Sequence, residues 1–158
     1  MSAQENIAVE RGELELVITR IFNAPRALVW RAWTDPAHLV HWWGPRGFTL
    51  PACEVDLRPG GAYRFHMRGP DGDDHWMQGV FREVVEPERL ALAGCWTEAD
   101  GTPRSPQTLV AVTFEEQGER TKITLRHTGF ESVAACDEHR IGWNSSLDCF
   151  AEYIERVR

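Results

Sequence analysis

The chain has 158 residues, of which 42% are hydrophobic, and its 17 basic and 24 acidic residues give a net charge of -7 at pH 7. This length predicts one domain that buries most of its apolar surface without needing a disulfide or a metal. The negative charge disfavours a nucleic-acid partner, because phosphate backbones are bound through clustered lysine and arginine.

No run of about 18 apolar residues is present, so we expect no membrane span. The first dozen residues are polar and do not have the pattern of a secretory signal, so we expect a cytoplasmic protein. We predict a polar N-terminal tail, residues 1–12, followed by a single domain, residues 13–158. The four cysteines are far apart in sequence and form no C-x-x-C motif, which favours free thiols over a disulfide framework.

The chain begins with a strand and two helices. Residues 14–21 are rich in β-branched side chains and alternate in polarity, which predicts a strand that ends before Pro25. Pro25 suits the first position of a helix that runs to Thr34. Asp35 and Pro36 then suit the start of a second short helix, which we expect to continue through Trp43 and to stop at Gly44-Pro45.

Four tryptophans fall in this helical segment. We predict that Trp30 and Trp33 belong to the core. Trp42 and Trp43 are adjacent, and neighbouring side chains on a helix point about 100° apart. They cannot both face one core, so we expect one of them to form a pocket rim or a contact surface.

From residue 48 the hydrophobic period changes from helical to two, and turn signals such as Pro59-Gly60-Gly61 recur. The pattern predicts six strands in an antiparallel meander, at residues 48–58, 61–68, 75–85, 88–97, 108–116 and 121–128. Alternation places one set of side chains inward. This set is Tyr63, Phe65, Met67, Met77, Gly79, Phe81, Leu90, Leu92, Gly94, Trp96, Val110, Val112, Phe114, Ile123, Leu125 and His127. In the strand 75–85 the assignment is less clear, because a bulge near Asp73-Asp74 would turn Trp76 inward instead.

The last segment, residues 132–158, predicts one long amphipathic helix. Its apolar positions recur at intervals of four, three, four and three residues. They are Trp143, Leu147, Phe150, Ile154 and Val157. The whole order is therefore strand, two short helices, six strands and a long helix.

This order resembles a known family, and so do several motifs that follow one another along the chain. The motifs are Ala24-Pro25-Arg26, Ala32-Trp33-Thr34-Asp35-Pro36, Trp42-Trp43-Gly44-Pro45, Pro59-Gly60-Gly61, Arg64-Phe65, Met67-Arg68-Gly69-Pro70-Asp71-Gly72, Pro87-Glu88-Arg89-Leu90 and Gly142-Trp143. They are similar to those of stand-alone bacterial proteins related to the C-terminal domain of the activator of the heat-shock protein 90 ATPase, within the SRPBCC superfamily. That superfamily also contains the START domains, the birch-pollen-type allergens and aromatic polyketide cyclases.

The resemblance implies an α+β helix-grip fold, in which a curved seven-stranded antiparallel sheet wraps around the long C-terminal helix and leaves an apolar cavity. Such half-barrels commonly hold a ligand in this place. The residues of this chain that we expect to line the cavity are Phe65, Met67, Met77, Trp96, Val112, His127, Trp143 and Leu147.

The strongest polar candidate is His127, on the inward face near the end of the last strand. It could orient a ligand or move a proton. The alternative is a buried histidine whose nitrogens are paired within the protein, as is usual for buried polar groups. By strand parity Glu83 also falls inward and could form an acid–base pair with His127, unless a bulge reverses its direction.

No other catalytic signature is present in the sequence: it contains no G-x-S-x-G, no G-x-G-x-x-G and no pair of inward carboxylates. We therefore predict no cofactor. His38 and His41 lie three residues apart, but no further ligand stands at metal spacing, so we predict a solvated helix face and no metal site.

Three functions remain. The leading hypothesis is a protein that binds a hydrophobic or aromatic small molecule in its cavity without catalysis. The first alternative is a cyclase or hydrolase of polyketide-like substrates that uses His127 as a general base. The second alternative, which the family resemblance suggests, is a chaperone partner that stimulates an ATPase. The sequence leaves a homodimer open.

Overall fold

The computed structural model describes residues 14–158, so the predicted polar tail, residues 1–12, lies outside the described residues. The predicted order of elements is confirmed. The elements are β1 (Glu15–Phe22), α1 (Arg26–Thr34), α2 (Pro36–Leu39), β2 (Thr49–Val55), β3 (Ala62–Arg68), β4 (Asp74–Val85), β5 (Arg89–Thr97), β6 (Thr108–Gln117), β7 (Arg120–Thr128) and α3 (Val133–Val157).

The strands form one seven-stranded antiparallel sheet in the order β1-β7-β6-β5-β4-β3-β2. β2 to β7 are a meander, as predicted, and β1 joins its far side by pairing with β7. The two short helices lie between β1 and β2, and the main backbone contacts of α3 with the sheet are to β1. This arrangement confirms the α+β helix-grip fold.

Local side chains explain where two of the helices begin. The Asp35 carboxylate accepts a hydrogen bond of 2.9 Å from Ala37 N, and Pro36 occupies the first turn of α2. The Ser132 hydroxyl accepts one of 3.0 Å from Ala135 N at the start of α3. Both caps satisfy backbone donors that have no partner within the helix.

The second helix is shorter than predicted, because α2 ends at Leu39 instead of continuing through Trp43. Residues 40–42 form turns. They contain hydrogen bonds between residues three positions apart, such as that from Trp42 N to Leu39 O at 3.2 Å. The tryptophans still diverge as expected. Trp42 is 3% exposed and its Nε1 donates to Ala32 O, whereas Trp43 is half-buried.

The inward faces of the strands follow the predicted alternation. Tyr63, Phe65 and Met67 of β3 are buried, and so are Ile123 and Leu125 of β7. Strand β4 differs in one respect, because its irregularity lies between Phe81 and Glu83 and not near Asp73-Asp74. Trp76 stays on the outer face, where its ring stacks on His66 at a centroid distance of 4.0 Å.

The core is densest where α1 and the C-terminal half of α3 cover β1, β6 and β7. The rings of Phe22 and Phe150 pack edge to face with their centroids 4.9 Å apart, and those of Trp30 and Phe114 do so at 5.3 Å. All four rings are at most 2% exposed. We call this part of the core the closed end. Its close packing holds α3 against one side of the sheet.

Candidate functional site

A cavity of about 400 Å³ lies between the inner faces of β3 to β7 and the N-terminal half of α3. We call this part of the molecule the hollow end. Its walls are mainly apolar and aromatic. They include Trp33, Trp43, Phe48, Tyr63, Phe65, Met67, Met77, Phe81, Leu90, Leu92, Trp96, Val110, Phe130 and Trp143. The volume lies within the range of small-molecule sites in proteins.

Most residues proposed from the sequence to line the cavity do lie in its wall. They are Phe65, Met67, Met77, Trp96, His127 and Trp143. Val112 and Leu147 do not line it. Each is 1% exposed and packs in the filled core.

The wall also contains aromatic residues outside the predicted lining, and Trp43 among them fits the pocket rim expected of Trp42 or Trp43. They are Trp33, Trp43, Phe48, Tyr63, Phe81 and Phe130. Trp33 was assigned to the core alone, yet it also borders the cavity and stacks on Trp143 at 6.2 Å. Trp43 forms part of the wall and contacts Phe65 at 5.0 Å. Tyr63 shares the inward face of β3 with Phe65 and Met67, so strand parity was a sufficient signal to include it.

The hydrogen bonds of His127 fix its tautomer. Trp143 Nε1, which can only donate, lies 3.0 Å from His127 Nδ1, so Nδ1 must be the acceptor. The single proton of the neutral ring is then on Nε2, which lies 2.8 Å from the Thr108 hydroxyl and donates to it. Both ring nitrogens are therefore engaged within the protein.

A second histidine in the wall is held in a similar way. His139 Nδ1 lies 2.7 Å from the carbonyl oxygen of Ala135, so this nitrogen carries the proton and donates. Its Nε2 accepts a bond of 3.2 Å from Trp96 Nε1. Each histidine thus accepts an indole N–H, and the two imidazole rings lie 5.3 Å apart.

Burial, together with the nearby His139, lowers the pKa of His127 to about 3. The neutral ring agrees with its hydrogen bonds, because protonation would place an N–H of Nδ1 against the N–H of Trp143. A general base needs a free lone pair near the substrate, and here that lone pair is already occupied. The described geometry suits a structural histidine that orients Trp143 and Thr108.

The predicted acid–base pair of Glu83 with His127 is not formed. The irregularity after Phe81 inserts one extra residue in β4, so Val84 and not Glu83 packs against the core. The Glu83 carboxylate lies 3.1 Å from the Arg89 guanidinium on the outer face. This is the reversal that a bulge was expected to cause.

The two histidines of the second helical segment also differ from the prediction of a simple solvated face. His38 Nδ1 lies 2.6 Å from the Tyr153 hydroxyl, and the His41 ring stacks on Tyr153 at 5.6 Å. Both therefore help to join this segment to α3. Within residues 14–158, no group of three or more His, Cys, Asp or Glu side chains is placed to hold a metal ion.

The fold and the cavity together define a helix-grip domain with an apolar cavity that is partly open to solvent. The sequence model of the Activator of Hsp90 ATPase homolog 1-like proteins matches residues 23–155. The chain therefore belongs to this family, as the motifs of the sequence indicated. No significant match was found among curated proteins.

Solved structures with the same fold are numerous. Protein Ms6760 of Mycobacterium smegmatis is 28% identical with a TM-score of 0.78, and the match covers 91% of this chain and 90% of that one. Protein CV1439 of Chromobacterium violaceum is 26% identical with a TM-score of 0.80, over 90% and 97% of the two chains. The AHSA1 protein of Silicibacter pomeroyi, at 23% identity and a TM-score of 0.83, matches 91% and 99% and supports the fold alone.

None of the helices formed by residues 14–158 is long and apolar enough to cross a membrane.

Proposed function

We propose that the protein binds a hydrophobic or aromatic small molecule in the cavity of the hollow end. The observation that carries this proposal is an aromatic-walled space of about 400 Å³ beneath α3, in a core that is otherwise closely packed. Natural cores rarely leave such a space unfilled. Removal of apolar surface from water, at ~25 cal/mol per Å², would supply most of the binding free energy.

The state of the two wall histidines supports binding over proton transfer. His127 and His139 each use their lone pair to accept an indole N–H. The cyclase or hydrolase alternative needs His127 as a base, and no described contact favours that role over the structural one. The chaperone partner, the homodimer and the cytoplasmic location stay predictions.

The test compares two neighbouring positions of β6 that point to opposite faces of the sheet. Val110 lines the cavity, whereas Leu109 lies on the outer face and is 38% exposed. Val110→Phe fills part of the cavity, and Leu109→Phe adds the same ring outside it. The probe is the neutral dye 6-propionyl-2-(dimethylamino)naphthalene, followed by its emission.

We expect the dye to bind the wild type and Leu109→Phe alike, and Val110→Phe at least about tenfold more weakly, since filling the space costs about 1.4 kcal/mol or more. Equal binding by both variants would place the dye elsewhere and contradict the proposal. Native mass spectrometry of protein purified from its own cells, with organic extraction, would identify a natural guest.

A further inference from the structure

Tyr63 places a hydroxyl group in the apolar wall. The residue is 4% exposed, and its ring packs against Phe65 and Phe81 at centroid distances of 5.5 Å each. The hydroxyl lies over Gly94 of β5, where a Cβ atom would be only 2.2 Å from the phenolic oxygen. A glycine at this position therefore makes room for the hydroxyl, and the neighbouring rings fix its place.

Within the described chain, this hydroxyl has no hydrogen-bond partner. The fully enclosed and unpaired side-chain nitrogen and oxygen atoms of these residues are Trp33 Nε1 and Arg64 Nε. Tyr63 Oη is not one of them, so it keeps accessible surface. Tyr63 and Gly94 both line the cavity, and the hydroxyl lies against Gly94, which directs its surface toward the cavity. A guest can reach this oxygen, whereas it cannot reach the enclosed Trp33 Nε1.

An unpaired hydroxyl in an apolar site lowers the affinity for a purely hydrocarbon guest, because it loses water without gaining a partner. Burial raises the pKa of Tyr63 above its usual range, so the group remains a neutral O–H donor at ordinary pH. It can satisfy itself by donating to an oxygen or nitrogen atom of the guest.

The charges around the cavity restrict that acceptor. The described lining contains two carboxylates, Glu131 and Glu138, and it contains no lysine or arginine. An anionic guest would lose its hydration in the apolar chamber without gaining a cationic partner, and the two carboxylates would repel it. A neutral acceptor such as a ketone, quinone, ester or ether oxygen avoids both penalties.

We infer that Tyr63 is the specificity-determining donor of the cavity and selects aromatic guests that carry an uncharged acceptor oxygen at the position of its hydroxyl. This inference rests on the proposed function and adds the class of ligand to it. Two hydroxyls compete as donors, because Thr108 and Ser146 also line the cavity. Thr108 accepts from His127, and Ser146 is 6% exposed on α3. Thr108 is less buried than Tyr63, but the bond it accepts from His127 leaves its own O–H free to donate, so the three hydroxyls are separated by experiment.

The experiment is isothermal titration calorimetry with 2-acetylnaphthalene and 2-isopropylnaphthalene, which have nearly the same shape and differ in the carbonyl oxygen. The ratio of their affinities is measured for the wild type, Tyr63→Phe, Thr108→Val and Ser146→Ala, and Ser146→Ala should leave it within about twofold of the wild type. We expect Tyr63→Phe to reduce the preference for the ketone about 3- to 10-fold, the effect of one neutral hydrogen bond. Thr108→Val should leave the preference within about twofold of the wild type.

Urea unfolding of Tyr63→Phe should give a midpoint close to that of the wild type, because phenylalanine keeps the ring contacts with Phe65 and Phe81. A third guest, 2-naphthoate, should bind the wild type more weakly than the ketone. The inference is overturned if Tyr63→Phe leaves the ratio unchanged, if Thr108→Val lowers it instead, or if the carboxylate binds better. If neither naphthalene binds the wild type, the proposed function fails together with the inference.

Discussion

The two ends of the core are built from the same kinds of side chain and reach different outcomes. At the closed end, Trp30, Phe114 and Phe150 interlock and are at most 1% exposed. At the hollow end, Trp43, Trp96 and Trp143 remain half-buried around a cavity. Aromatic content alone therefore does not decide whether a core is filled.

The difference arises from what faces the aromatic rings. The closed end receives α1, whose Val29, Trp30 and Ala32 are buried, and the ring of Trp30 packs on Phe114 of β6. At the hollow end, α3 presents the small residues Ala135, Gly142 and Ser146 alongside His139 and Trp143, and the sheet presents Gly94. Small side chains on both sides leave the space open.

The largest expected effect contrasts one tryptophan from each end. Trp30→Ala removes a ring with almost no exposure and should lower the free energy of unfolding by about 3–5 kcal/mol. Trp96→Ala removes a half-buried ring that borders an existing cavity, so fewer close contacts are lost and the cost should be less than about half as large. Urea denaturation of both variants measures the difference. Equal losses would show that the two ends do not differ in packing.

The contrast also explains what the sequence could reveal. Periodicity is a local property, and it correctly predicted the strands, α3 and the inward faces of Tyr63, Phe65 and Met67. Whether an inward residue meets another side chain or a cavity depends on the approach of distant elements. Val112 and Leu147 were assigned to the cavity for this reason, yet they lie in the filled core.

A single irregularity in β4 reversed the direction of Glu83 and with it the one predicted catalytic pair. The extra residue after Phe81 leaves no clear mark in the sequence, because Arg82, Glu83 and Val84 are compatible with either register. The role of His127 was also not predictable. Its tautomer is set by Trp143, 16 residues away, and the spacing of the sequence does not reveal that contact.

The second prediction concerns pH and tests whether the hollow end keeps His127 neutral. Its pKa is lowered from 6.5 to about 3, so the unfolded chain binds a proton more readily than the folded one as the pH falls. The contribution of the neutral His127 to the free energy of unfolding is therefore fully present above pH 6.5, and it is lost as the pH falls from 6.5 to 3. From pH 7 to pH 5, the contribution of this residue to the free energy of unfolding should fall by about 2 kcal/mol.

His127→Gln isolates that contribution, because glutamine is uncharged and can accept from Trp143 while donating to Thr108. We expect its urea midpoint to fall less than that of the wild type between pH 7 and pH 5. If His127→Gln and the wild type lose the same stability over this interval, His127 titrates in the folded protein and the hollow end does not exclude its charge.

The smallest expected change in stability comes from a comparison of two glycines that both border the cavity. A Cβ on Gly142 of α3 would meet only Pro45 Cγ, at 3.9 Å, which is an ordinary contact. Gly142→Ala should therefore raise the free energy of unfolding by about 0.5–1 kcal/mol, since alanine is the better helix former. A Cβ on Gly94 would lie 2.2 Å from the Tyr63 hydroxyl and 2.5 Å from Gln78 O. Gly94→Ala should instead lower stability by about 1–3 kcal/mol through overpacking.

Urea denaturation at one pH measures the change in the free energy of unfolding of each variant. Changes of opposite sign would show that the two glycines are present for different reasons. On the sheet side, the missing side chain accommodates Tyr63 and is required by the fold. On the helix side, the empty position costs stability and is not required by packing. A gain of stability without loss of dye binding in Gly142→Ala would show that this glycine is not needed for the guest either. If Gly142→Ala destabilises the protein as Gly94→Ala does, both walls of the hollow end are fixed by packing.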